Sequence, residues 1–97
     1  MCARKYNTPR LPVIIGELGN GGPEASDKML AIRAAQQAAA SRPELQGNVK
    51  FISTTAFARP KDESPNVGHG HHWFGNAESY FLIGDALGQG MVDLLQP

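Results

Sequence analysis

Three histidines, His69, His71 and His72, stand within four positions inside the run Gly68–Asn76, GHGHHWFGN. Imidazole changes protonation near neutral pH and can carry a proton between reacting groups. Such a group acts as a general base only if it reaches a nucleophile, and the loops at the carboxyl ends of parallel strands offer that placement. The run therefore supports three chemistries. One histidine can act as a general base. His69 can pair with His71 or His72 toward a metal ion, although no spacing supplies the further ligands that a zinc site wants. The cluster can also be a polar loop with ordinary hydrogen bonds. Two neighbours widen the candidate set. Trp73, with Phe74, offers an aromatic wall for a cleft or an anchor for the loop. Glu17 comes directly after an apolar run, where it can orient a substrate hydroxyl or a histidine, or simply be solvated.

These residues need a scaffold. Leu11–Gly16 (LPVIIG) is short, apolar and β-branched, and reads as a strand buried on both faces, as in a parallel sheet. A breaker cluster, Gly19-Asn20-Gly21-Gly22-Pro23, comes next. It lacks the Lys-Ser/Thr of a phosphate loop and the spacing of a dinucleotide fingerprint, so no nucleotide cofactor is expected. Residues 25–40 read as a helix with Ala25, Met29, Ile32, Ala35 and Ala39 on one stripe, Ser26 or Glu24 as its cap and Arg42-Pro43 as its stop. Arg33 and Gln36, one turn apart, can grip a neighbouring loop but default to solvation. Asn48–Ser53 reads as a second strand. Thr54–Gly75 is a long polar loop of the functional or disordered kind. Residues 77–95 read as a closing helix capped by Asn76. Ala77, Phe81, Gly84, Gly88, Met91 and Leu95 share one face, and Gly84 and Gly88 suggest close packing on a sheet.

Strand, helix, strand, long loop, helix predicts a parallel α/β arrangement with a right-handed crossover. Two strands are few for a sheet and leave an apolar edge, a site for pairing with another copy. The chain is thus read as one incomplete domain: residues 1–10 irregular, residues 11–95 the α/β part. Lys+Arg and Asp+Glu are equal at 9 each, so there is no charge footprint for nucleic acid or an anionic membrane. No apolar run has the length of a membrane span. Residues 1–10 have no apolar core like that of a signal peptide, which leaves the compartment open. The single cysteine, Cys2, excludes an intramolecular disulfide and makes a cysteine zinc site implausible.

Taken together, LPVIIGELG (11–19), AIRAAQ (31–36) and GHHWFGNAESYFLIGDALGQGM (70–91) resemble the C-terminal part of the sialate O-acetylesterase-like, acetylxylan-esterase-related family of SGNH hydrolases. The most specific portion is HHWFGNAESYFLIGDALG, a histidine and an aromatic leading into the closing helix. The resemblance implies a flavodoxin-like three-layer α/β/α fold and removal of acetyl groups from sugars by a serine–histidine(–aspartate) mechanism without metal or cofactor. On it, His72 corresponds to the catalytic histidine, with His71 the adjacent alternative, and the substrate is an acetylated carbohydrate. Two features depart from the family. Nothing here resembles the Gly-Asp-Ser or Gly-Gln-Ser nucleophile segment or the oxyanion-hole blocks, and Ser26, Ser41, Ser53, Ser64 and Ser79 stand in the wrong context. Where many relatives have an aspartate three residues before the histidine, this chain has His69; Asp62, Glu63 or Glu17, or a carboxylate from elsewhere, are the candidates for the third role. The triad works as a unit, so this chain by itself is expected to lack esterase activity.

Overall fold

The computed structural model describes residues 10–96, so Cys2 and nearly all of the segment expected to be irregular over 1–10 lie outside the described residues. Four regular elements form a small mixed α/β unit: β1 (Val13–Gly16), α1 (Asp27–Ala40), β2 (Val49–Ile52) and α2 (Ala77–Leu95). The strands pair in parallel, with Val13 opposite Val49 and Gly16 opposite Ile52. Short 3-10 turns punctuate the connections, at Gly22–Glu24, Pro43–Leu45, Thr55–Phe57, Lys61–Glu63 and Gly70–Gly75. The long polar stretch after β2 is therefore built of hydrogen-bonded turns.

The helix starts obey local chemistry. Ser26 caps α1 by accepting from Met29 N–H, and Asn76 caps α2 by accepting from Ser79 N–H. Ala25, expected in the first turn, precedes the cap and has extended backbone.

The expected faces are corrected at both helices. In α1 the apolar stripe does not face inward. Ile32 is 43% exposed, whereas Arg33 is buried. Arg33 donates to the carbonyls of Leu18 (2.6 Å), Gly22 (3.0 Å) and Asn20 (3.1 Å). Gln36 accepts from Leu18 N–H at 2.9 Å and donates to Gly16 C=O at 3.2 Å. The helix lies against a row of backbone polar groups, which select a guanidinium and an amide over an alkyl stripe. In α2 the expected face is the outward one: Phe81 is 72% exposed, and a Cβ at Gly84 or Gly88 would meet nothing within 4 Å. The glycine that touches the sheet is Gly90, where a Cβ would lie 2.6 Å from Ile52 Cδ1 and 3.3 Å from Ile14 Cδ1.

The strands also depart from expectation. Val13 and Gly16 are exposed, and Ile14 and Ile15 only half-buried. Among the described residues Ala40 is the one buried hydrophobic side chain, while Arg33, Thr54 and Ser79 are the buried polar ones. The interior is held by satisfied polar contacts; no buried side-chain nitrogen or oxygen lacks a partner among the described residues. No described helix is long and apolar enough to cross a membrane.

Candidate functional site: the histidine loop and its adjoining cleft

The two strands end side by side, and the segments leaving them are fastened to each other. Glu17, one residue past β1, accepts through Oε1 from Ser53 Oγ (2.9 Å), Thr54 N–H (2.9 Å), Thr55 N–H (3.0 Å) and Thr55 Oγ1 (2.7 Å). Thr54 Oγ1 returns a bond to Glu17 C=O at 2.9 Å. Partial burial pushes this carboxyl group up. The hydrogen bonds from Thr55, Thr54 and Ser53 together outweigh that and hold its pKa below the usual 4.5. Glu17 is thus neither a solvated carboxylate nor seen orienting a histidine: it clamps the strand ends. Gly19 lies under the same clamp. A Cβ there would run into Thr54 Oγ1 and come within 2.9 Å of Thr54 C and Thr55 N.

From this clamp the chain runs through Thr55–Phe57 to the histidine loop. Ser79, in the first turn of α2 and fully buried, donates to Phe57 C=O at 2.6 Å. Asn76 Nδ2 donates to Ser64 Oγ at 3.0 Å, and Ser64 Oγ to Pro60 C=O at 2.8 Å. An Arg59–Glu78 ion pair joins the loop to the same end of α2. The start of the closing helix is therefore the post on which the loop hangs.

His69, His71 and His72 are all exposed. Their ring centroids lie 4.1 Å apart for His71–His72, 5.5 Å for His69–His71 and 6.2 Å for His69–His72. Among the described residues, no three His, Cys, Asp or Glu side chains form a group able to hold a metal ion, so the metal reading has no ligand set. The backbone at His72 is fixed from two sides: its N–H donates to His69 C=O at 3.0 Å, and its C=O accepts from Tyr80 Oη at 2.6 Å.

Trp73 (φ 55) and Phe74 (φ 54), immediately after His72, both adopt the left-handed conformation. For side-chain-bearing residues this costs roughly 1–2 kcal/mol each. The surrounding bonds hold it: Phe74 N–H to His69 C=O (2.9 Å), Asn66 N–H to Phe74 C=O (2.9 Å) and Asn76 N–H to Trp73 C=O (3.0 Å). Strain of this kind concentrates at functional sites. Its effect here is to turn both aromatic residues into the wall of a cleft of about 780 Å³.

The cleft is walled by Gly21, Pro23 and Glu24 from the turn after β1, by Ala58–Asp62 from the chain after β2, and by Trp73 and Phe74. Every contributing segment lies beyond the carboxyl end of a parallel strand, the side on which open α/β sheets bind ligands. Of the residues singled out in the sequence, Trp73 lines the cleft, His72 and His71 stand beside it in the chain without lining it, and Glu17 lies at the strand-end clamp. Sequence reasoning missed Arg59, Ser79 and Tyr80. Tyr80 falls one helical turn after the Asn76 cap, the one signal that tied it to the loop. Comparison with protein-family models, characterised proteins and solved structures finds no match for this chain.

Proposed function

We propose that this chain is the C-terminal portion of a carbohydrate O-acetylesterase of the SGNH class, with His72 as the general base and Trp73 as part of the sugar-binding wall. On this reading the parallel β-α-β unit belongs to a flavodoxin-like three-layer α/β/α fold. The observation that carries the reading is the position of the cleft: it is lined wholly by segments that follow the carboxyl ends of β1 and β2, and its wall includes Trp73, the residue next to the backbone-fixed His72.

The chemistry rests on these residues. An ester carbonyl is attacked by a hydroxyl whose proton passes to imidazole, and the imidazolium then protonates the leaving alcohol. His72 is exposed and held through its backbone, which leaves its ring free to serve a hydroxyl brought from outside. Trp73 and Phe74 offer flat apolar rings of the kind on which a sugar rests, and Arg59, Lys61 and Asp62, which also line the cleft, carry hydrogen-bonding groups. The serine and the oxyanion donors must come from a segment absent from this sequence.

Hydrolysis of p-nitrophenyl acetate tests the proposal. The chain alone should give no turnover above a His72→Ala control. Joined to an upstream in-frame segment carrying a Gly-x-Ser block, it should turn over ester and lose at least 100-fold in rate on His72→Ala, on the order expected for a general base, with a milder loss on His71→Ala. Turnover by the chain alone that requires His72 would overturn the proposed division of the triad. Full activity of the joined protein after His72→Ala would remove His72 from it.

A further inference from the structure

We infer that the outer edge of β1 is an interface between two copies of this chain, paired antiparallel about a two-fold axis at Ile14. In the β1–β2 ladder Val13 N–H donates to Asn48 C=O and Glu17 N–H to Ile52 C=O, both at 2.9 Å. Odd-numbered residues of β1 therefore turn their backbone groups toward β2, and Ile14 and Gly16 turn theirs away. Continued one step at each end, the outward row is Pro12 C=O, Ile14 N–H and C=O, Gly16 N–H and C=O, and Leu18 N–H.

Two of these groups are already taken. The Gln36 amide donates to Gly16 C=O and accepts from Leu18 N–H. One amide bridging the C=O of residue 16 and the N–H of residue 18 stands where a single residue of a neighbouring parallel strand would stand. Gln36 thus closes the carboxyl end of the edge. At the other end Pro12 has no N–H to offer. Among the described residues nothing bonds to the four groups between: Pro12 C=O, Ile14 N–H, Ile14 C=O and Gly16 N–H.

Those four groups complement themselves. In a two-fold antiparallel pairing centred on Ile14, each Ile14 N–H meets the other copy's Ile14 C=O, and each Gly16 N–H meets the other copy's Pro12 C=O. An ordinary ladder would also ask residue 12 to donate to residue 16. Here the donor is missing because residue 12 is proline, and the acceptor is the carbonyl that Gln36 holds. The side chains agree with this register. Ile14 faces its own copy, and Val13, 38% exposed, comes opposite Ile15, so the cross-strand pairs are β-branched and apolar. From Leu11 to Gly16 there is no charge of the kind that guards an edge, whereas β2 carries Lys50. The pairing would give a continuous four-stranded sheet, β2-β1-β1-β2.

Sedimentation equilibrium tests the inference directly. The chain should sediment with a concentration-dependent mass that doubles, and Val13→Lys should hold it at monomer mass with an unchanged far-UV circular dichroism spectrum. The register has a test that does not depend on that variant folding. In a Cys2→Ser background, Val13→Cys with Ile15→Cys should oxidise to a covalent dimer, because facing non-hydrogen-bonded residues sit about 4.5 Å apart at Cα, within disulfide range. Val13→Cys alone should not. A mass that stays monomeric at every concentration, a dimer that survives Val13→Lys, or a double-cysteine variant that fails to cross-link would each overturn the inference. The inference does not rest on the esterase reading, whose own test is hydrolysis.

Discussion

Glu17 shows how much one side chain can hold when four donors converge on one oxygen. Glu17→Ala leaves the Thr54 and Thr55 N–H groups and two hydroxyls without their acceptor; Ser53 is exposed and Thr55 half-buried, but Thr54 is buried, and a buried donor so orphaned costs about 1–3 kcal/mol. Urea denaturation should register a loss of that order, with the midpoint falling and the slope unchanged. The pH dependence has a definite sign. The folded-state pKa lies below the ordinary 4.5. The clamp's contribution is therefore complete above about pH 4.5 and is lost as pH falls through the folded value. Glu17→Gln should flatten that acid limb of the stability curve. The clamp was not legible in the sequence, because its donors lie 36 to 38 residues away and meet Glu17 only once the parallel register is set. The histidine–aromatic turn was legible as a cluster, since its residues are contiguous. The left-handed backbone at Trp73 and Phe74 was not, because neither residue type announces a positive φ.

Element boundaries were easier to read than element faces. Ala77–Leu95 and the Asn76 cap come from local composition, and so do the two strands and the order that makes them parallel. The inward faces depend on what each helix lies against. For α1 that is the carbonyl row of residues 16–22, and Arg33 supplies its donors. Arg33→Met should cost about 1–3 kcal/mol by stranding the buried Gly22 carbonyl and the part-buried carbonyls of Leu18 and Asn20, and thermal unfolding by circular dichroism would show it. Arg33→Lys should recover only part, since an ammonium lacks the planar fork of donors. For α2 the glycines separate the two faces. Gly90→Ala should destabilise by about 1–3 kcal/mol through overpacking on Ile52 and Ile14. Gly84→Ala and Gly88→Ala should each stabilise by about 1 kcal/mol, because both positions are open and alanine is the better helix former. Equal effects at all three positions would contradict the assignment of faces.

At the scale of the molecule, the described residues bury polar groups well and apolar groups little. Val13, Leu30, Ile32, Val67, Phe81, Val92 and Leu95 are exposed, Ala40 is the one buried hydrophobic side chain among the described residues, and Ile14, Ile15, Phe51 and Ile52 are only half-buried. Such a chain should be marginally stable as a monomer, and its unfolding midpoint should rise with protein concentration if two copies share the β1 edge. It should also bind a hydrophobic dye such as ANS in its native state, with less binding as the dimer fills; no dye binding at any concentration would mean that these side chains are covered in solution. The two-stranded parallel sheet was legible from the count and order of strands. The polar character of the interior was not, because it arises from Arg33, Thr54 and Ser79, which composition alone assigns to the surface.

The central claim is that the cleft beside the histidine turn receives an acetylated sugar. Trp73 is the chain's one tryptophan, so its indole N–H gives a single resonance, and the three imidazoles can be tracked in the same nitrogen-resolved NMR spectra. Titration with an acetylated xylose or sialic acid should shift the Trp73 and His72 resonances saturably and together, with His69 moving least and the deacetylated sugar binding more weakly. Spectra that do not change at Trp73 and His72 up to saturating sugar would contradict the claim.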